Sequence, residues 1–163
     1  MPVCPRIVLA LAAALASGLA ASTCASPARA EDPTPLVLAV NSSLGFGAIV
    51  AGGAAGTVTV SAAGDRSASG GTFLGSPTGV AAASFTVSGE PNLTFSLVLP
   101  SSVTLDNGGA TMTVDSFTSL PSGSGTLGPA GTEEVRVGAT LHVSGTQTQA
   151  SYSGTFDLTV AYN

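Results

Sequence analysis

Several residue types that carry chemistry are scarce or missing in this chain of 163 residues. It contains two cysteines, one histidine, and neither lysine nor tryptophan. Both cysteines, Cys4 and Cys24, precede residue 31, so the rest of the sequence has no disulfide and no thiol. The absence of lysine excludes a Schiff-base mechanism and lysine–asparagine crosslinks. A small domain without disulfides must take its stability from a packed core.

Positive charge is also scarce. From residue 31 onward only Arg66 and Arg136 stand against nine carboxylates, a formal charge of −7 for that part of the chain. Proteins that bind nucleic acid or anionic membrane surfaces need a basic patch. The composition therefore excludes nucleic acid and a membrane surface as partners.

The first thirty residues have the features of a secretory signal peptide in the expected order. Arg6 precedes an apolar run over 7–21, and Ala28-Arg29-Ala30 presents small residues to a signal peptidase. The run is too short for an ordinary membrane span, which needs about 20 residues. We expect cleavage after Ala30, a single domain over residues 31–163, and export to the periplasm, the cell surface or the extracellular space.

The remaining sequence predicts an all-β fold, because no stretch has a helical period and Thr, Ser, Val and Gly dominate. Short alternating segments separated by turn signals are typical of a sandwich or a barrel, and we prefer a sandwich. Residues 133–144 are expected to form the longest strand. A glycine-rich turn is expected at 52–56, and residues 67–77 are Gly/Ser-rich with few large side chains. The clearest hairpin turn is 106–109.

Two segments present apolar residues on one strand face. Near the predicted new N-terminus, these are Leu36, Leu38 and Val40. In the last twelve residues, 152–163, we predict a strand that closes the sandwich. Its apolar positions are Phe156, Leu158, Val160 and Tyr162.

No set of residues predicts catalysis, a cofactor or a metal site, and we expect no enzyme. His142 is predicted to lie on the solvent face of its strand. Asp106 belongs to a turn, and Asp115 would have to approach it across a hairpin to form a weak calcium site. Glu133 and Glu134 are adjacent, so they face opposite sides of a strand.

Seven segments, in order, resemble the bacterial domain of unknown function 4402 family. They are residues 44–53 (LGFGAIVAGG), 56–61 (GTVTVS), 85–89 (FTVSG), 99–105 (LPSSVTL), 108–114 (GGATMTV), 137–141 (VGATL) and 152–163 (YSGTFDLTVAYN). The resemblance implies an exported all-β protein with no established activity.

The Phe-Gly pair near the start and the final Tyr-Ser-x-Thr pattern also resemble, more distantly, spore coat protein U-like pilins of archaic chaperone–usher systems. That resemblance implies an incomplete, immunoglobulin-like antiparallel sandwich that is filled by a strand from a neighbour. Identical subunits or a periplasmic chaperone would then be the partners. The usual pilin disulfide is missing here.

Two functions remain open. The preferred one is an exported structural or surface protein, a pilin-like (fimbrial) subunit that assembles or binds by β-strand exchange. The alternative is a monomeric secreted β-sandwich that acts as a binding or adhesion module. Strand exchange predicts an open groove and a detached segment at 36–40, whereas the monomeric module predicts that this segment pairs within its own sheet. The candidate residues for either pairing are Leu36, Leu38, Val40, Phe156, Leu158, Val160 and Tyr162.

Overall fold

A computed structural model describes residues 32–163, so the predicted signal peptide, 1–30, lies outside the described residues. The described part contains β-strands and no helix, which confirms the all-β prediction. The strands are β1 (Val37–Ser42), β2 (Gly45–Phe46), β3 (Ile49–Val60), β4 (Arg66–Leu74), β5 (Val80–Ala81), β6 (Ala83–Ser88), β7 (Thr94–Val98), β8 (Ser102–Asp106), β9 (Thr111–Leu120), β10 (Ser124–Thr126), β11 (Thr132–Val143) and β12 (Thr159–Tyr162).

The strands form an antiparallel sandwich. The large sheet runs β1-β6-β11-β3-β4, with β9 on the other edge of β11 and β8 beyond it. A smaller sheet has the order β10-β7-β12, and β2 pairs with β5. Apolar side chains of β6 and β11 pack against those of β7 between the two sheets. In this arrangement β1 and β12 are both edge strands.

Strand β11 holds the large sheet together. Its first half pairs with β6, its second half pairs with β3, and β9 follows its opposite edge. The five apolar positions predicted for one face are all at most 3% exposed: Val135, Val137, Ala139, Leu141 and Val143. The predicted period is therefore confirmed, although β3 is as long as β11, at 12 residues each.

The core has two parts, and a bulge in β9 lies close to where they meet along β11. Opposite Ala139, β9 contains the extra residue Ser116 with φ of 52°, a left-handed conformation that is uncommon for serine. The first core cluster consists of Ala83, Phe85, Val87, Phe95, Leu97, Leu127, Val135 and Val137. The second core cluster consists of Phe46, Val58, Val60, Val114, Ala139, Leu141 and Val143.

Two local predictions were wrong, and one strand was not predicted. The glycine-rich segment 52–56 is not a turn, because β3 runs through it with a bulge between Ala51 and Gly56. Much of the Gly/Ser-rich segment 67–77 belongs to β4. Neither segment has an alternating apolar pattern that would predict a strand. Their pairing in β3 and β4 depends on backbone hydrogen bonds and not on buried side chains. The closing strand is only Thr159–Tyr162, because 152–158 has no neighbouring strand along its length.

Candidate functional site

An open groove with a volume of about 1080 Å³ lies over the second core cluster. One wall is formed by residues 42–51, and the facing wall is formed by 147–156. The floor contains apolar side chains of β8, β9 and β11, namely Val103, Leu105, Met112, Val114, Leu141 and Val143. We refer to this feature as the groove. Sequence reasoning missed its floor residues, although the alternation in β8 and β9 indicated their inward direction.

The lining of the groove is uncharged. None of the residues that line it is an acid, a base or a histidine, and its polar members are Ser, Thr, Gln, Tyr and backbone groups. Burying a charge against such a surface without a partner is costly. The groove therefore suits a neutral occupant with apolar side chains.

Arg66 fixes the wall that includes Phe46 and Ala48. Its Nη1 donates to the carbonyl oxygens of Phe46 at 3.0 Å and Ala48 at 3.2 Å. The same guanidinium donates to the carbonyls of Gly75 at 2.9 Å and Ser76 at 3.3 Å. Because all four carbonyl oxygens accept from one guanidinium, Arg66 holds residues 46–48 next to residues 75–76. The shape of this wall thus depends on Arg66.

The predicted N-terminal pairing residues occupy two environments. Leu36 and Leu38 are half-buried and pack on the first core cluster. Val40 is 68% exposed and lines the groove. The sequence thus placed all three residues on one face, and the structure distinguishes Val40 from the other two.

The four predicted C-terminal residues pack together against the first core cluster. Phe156, Leu158, Val160 and Tyr162 are half-buried, and the residues between them are exposed. The Phe156 ring lies edge-on to Phe85 at 6.0 Å and tilted to Phe117 at 5.3 Å between centroids. Phe156 also lines the groove, so it connects the groove with the main core.

The N-terminal segment is paired within its own sheet, so the detached segment at 36–40 that strand exchange predicts is not observed. Val37 to Val40 pair with β6 in continuous register, and Ser42 resumes the pairing after a bulge. Tyr162 secures the preceding residues: its hydroxyl donates to the Thr34 carbonyl at 2.5 Å and accepts from the Glu90 N–H at 2.6 Å. Thr34 in turn donates from its hydroxyl to Glu90 Oε2 at 2.7 Å. The two hydrogen bonds from Thr34, the side-chain one first, hold the pKa of Glu90 below its usual value.

Residues 37–162 match the family described as domain of unknown function (DUF4402). The chain belongs to this family. The match confirms the family resemblance that the sequence motifs indicated. No curated protein matches the chain, and neither does any solved structure. The groove and the sheet edges of this DUF4402 domain are therefore the features that bear on its function.

Outside the groove, the titratable side chains of the DUF4402 domain form one pair of note. His142 Nε2 lies 2.9 Å from Asp115 Oδ2 on the outer face of the large sheet. Ser116 donates to the other carboxylate oxygen at 3.0 Å. Asp106 lies elsewhere: in the β8–β9 hairpin it pairs with Thr111 beside the turn, whereas Asp115 pairs with Ser102 at the far end. Asp106 and Asp115 therefore lie at opposite ends of the hairpin and do not approach each other as a shared calcium site would require.

Two further findings concern residues 32–163. No group of three or more His, Cys, Asp or Glu side chains is arranged there to hold a metal ion. The same residues contain no helix that is long and apolar enough to cross a membrane.

The Asp115–His142 contact predicts a pH dependence of stability. The hydrogen bond from His142, followed by that from Ser116, lowers the pKa of Asp115. A carboxyl whose pKa is lower in the folded state stabilises the fold above its unfolded pKa of about 3.9. This contribution is lost as pH falls through the folded pKa. We expect Asp115→Asn to lower the melting temperature at pH 6, and this difference should vanish toward pH 2.

The control for this prediction is Asp157→Asn, which removes an exposed carboxylate on the C-terminal segment. Thermal melts of the three proteins across the acidic range measure both effects. Equal changes for the two variants at pH 6 would show that the Asp115–His142 contact contributes nothing specific.

Proposed function

We propose that this DUF4402 domain is an exported structural protein of the cell surface, a pilin-like subunit that assembles by β-strand exchange. The observation that carries the proposal is the groove, which is apolar, uncharged and open. A groove of this kind suits an added strand, because backbone hydrogen bonds hold the strand and alternate side chains fill the apolar space.

The edge positions of β1 and β12 support the proposal. Each has a neighbouring strand on one side only within the described sheets. Charged residues and proline are among the features that protect a sheet edge, and neither β1 nor β12 contains either. The protection that these strands do have is a bulge between Val40 and Ser42 in β1 and the short length of β12, four residues. Val37 to Val40 of β1 precede the bulge and offer an uncharged edge to a further strand.

The partner follows from the same chemistry. Identical subunits offer neutral strands, and a periplasmic chaperone would offer one during export. If each subunit inserts a strand into the next, the contact is head-to-tail and does not close, so it builds a filament. The resemblance of the sequence motifs to spore coat protein U-like pilins supports the same arrangement.

A charge placed on the groove floor tests the proposal. Met112 lines the groove, whereas its neighbour Thr113 is exposed on the outer face of the sheet. We expect the wild-type chain from residue 31 to form oligomers that increase with concentration in size-exclusion chromatography with light scattering. Met112→Arg should remain monomeric, and Thr113→Arg should behave like the wild type.

Circular dichroism establishes that each variant is folded, and Met112→Gln replaces Met112→Arg if the arginine prevents folding. Oligomers that persist unchanged in the folded Met112 variants would overturn the role of the groove. A wild-type protein that is monomeric at every concentration would overturn self-assembly.

A second function is favoured by the pairing of β1 with β6 and by the Tyr162–Thr34 contact. Both use the N-terminal segment within its own domain, as the monomeric binding or adhesion module requires. In that case the groove holds a neutral apolar ligand, and the wild-type protein is monomeric in the experiment above. The two functions therefore give opposite results for the oligomeric state.

A further inference from the structure

Residues 152–158, most of which form the C-terminal part of one groove wall, have the side-chain alternation of a strand at their end but lack a strand's backbone hydrogen bonds. Burial alternates from Thr155 onward, with half-buried Phe156 and Leu158 on either side of exposed Asp157. Strand β12 begins only at Thr159, where β7 becomes its neighbour. The same sequence period thus continues on both sides of residue 159, and only the partner is different.

The backbone of this wall is largely unpaired. Ser153 exchanges two hydrogen bonds with Asp106, at 2.9 and 3.0 Å. Within residues 32–163, the backbone groups of 155–158 form no hydrogen bond with other backbone groups. Their side chains already face the core, since Phe156 packs against Phe85 and Phe117. An added strand would complete the hydrogen bonding without turning any of these side chains.

The occupant must be neutral and apolar at alternate positions. The lining of the groove is uncharged, and residues 33–42 are also uncharged, with Leu36, Leu38 and Val40 on one face. The segment at 93–99 has a similar alternation, but its Phe95 is 0% exposed and belongs to the core. The N-terminal segment is therefore the better candidate, because β1 is an edge strand whose removal leaves Phe95 in place.

The exposure of β1 shows why it would move. In its own sheet Val37 is 59% exposed and Val40 is 68% exposed, so this strand buries its apolar residues incompletely. Val40 lines the open groove of its own chain without being covered there, so a position inside the groove of a second copy would bury it further. In the exchange, Leu36 and Leu38 would give up their contacts with the first core cluster.

We infer that the receiving edge of the groove is 152–158, which becomes a strand continuous with β12 when the Leu36–Val40 segment of a second copy enters. This inference rests on the proposed function and identifies both partners of the exchange. At about 3.3 Å per residue, a strand of seven residues would extend along the wall for about 23 Å.

The experiment adds a synthetic peptide with the sequence of residues 34–42 to the chain that begins at residue 31. Hydrogen exchange measured by mass spectrometry reports the amides of 155–158. We expect their exchange to slow by about tenfold or more at saturating peptide. The same peptide with Leu38→Asp is the control and should have no effect, because its charge would enter an uncharged groove.

The outcomes separate this inference from the proposed function. Faster exchange of the β1 amides without protection of 155–158 would mean that the peptide replaces β1 beside β6, which overturns the receiving edge and leaves strand exchange standing. Oligomers sensitive to Met112→Arg, without protection by the peptide, would also overturn the inference alone. A monomeric wild-type protein that the peptide does not protect would overturn both.

Discussion

Replacing Val160 with aspartate is expected to leave little or no folded protein. Val160 lies on β12 opposite Leu97 of β7, and its side chain packs on the first core cluster. A carboxylate there has no basic partner nearby, because only Arg66 and Arg136 carry positive charge in the described part. The cost is on the order of several kcal/mol, comparable with the total stability of a small domain, which is about 5–15 kcal/mol.

The matched control is Ala161→Asp, one residue along the same strand on its exposed side. We expect soluble, folded protein with stability within about 0.5 kcal/mol of the wild type. Soluble yield, circular dichroism and urea unfolding measure the difference. If Val160→Asp unfolds at the wild-type urea concentration, the faces of β12 have been assigned incorrectly.

Replacing Tyr162 with phenylalanine is expected to loosen the N-terminal segment. The change removes the hydroxyl that joins the Thr34 carbonyl to the Glu90 N–H, and it keeps the ring in the core. The Glu90 N–H is part-buried and the Thr34 carbonyl is exposed to water, so the expected cost is about 1 kcal/mol. Urea unfolding measures the loss in stability, and hydrogen exchange should become faster in β1.

Tyr152 provides the control, because it is the other tyrosine of the chain. Its hydroxyl donates to the Thr148 carbonyl at 2.8 Å, so Tyr152→Phe also removes a hydrogen bond. That bond lies within the groove wall and does not reach β1, so the exchange of β1 amides should be unchanged. Faster exchange of β1 in both variants would refute the anchoring role of Tyr162.

The Tyr162 prediction also bears on the proposed strand exchange. If β1 is the exchanging strand, weakening its anchor should raise the oligomeric fraction of Tyr162→Phe above that of the wild-type chain. A monomeric module would instead become less stable and remain monomeric. The oligomeric state of Tyr162→Phe therefore distinguishes strand exchange from a monomeric module.

The sequence was informative wherever a strand buries one face. In β11 every second residue from Val135 to Val143 is apolar, and all five predicted inward positions are buried. The turn at 106–109 was also predictable from its residue types. In the structure the Asp106 carboxylate accepts from the Gly108 N–H, and the Asn107 N–H donates to the Ala110 carbonyl. These features depend on local chemistry, which residue order alone specifies.

The sequence was uninformative wherever pairing rests on backbone atoms alone. The run Gly52–Gly56 has no large side chain, so nothing marked it as part of β3. The groove was equally invisible residue by residue, because Val40, Met112 and Phe156 are distant in the chain and meet only after the sheets have formed. Arg66 gave no sign that four carbonyl groups would surround it.

By itself, the sequence determined an acidic all-β domain with a dozen residues at its C-terminus in strand period. Only the tertiary structure decided how those residues are used. From Thr159 the period meets β7 and becomes a strand, whereas at 152–158 it faces the groove and remains unpaired. The physical reason is that alternation fixes the direction of side chains, whereas a strand also requires a neighbouring backbone, which residue order does not specify.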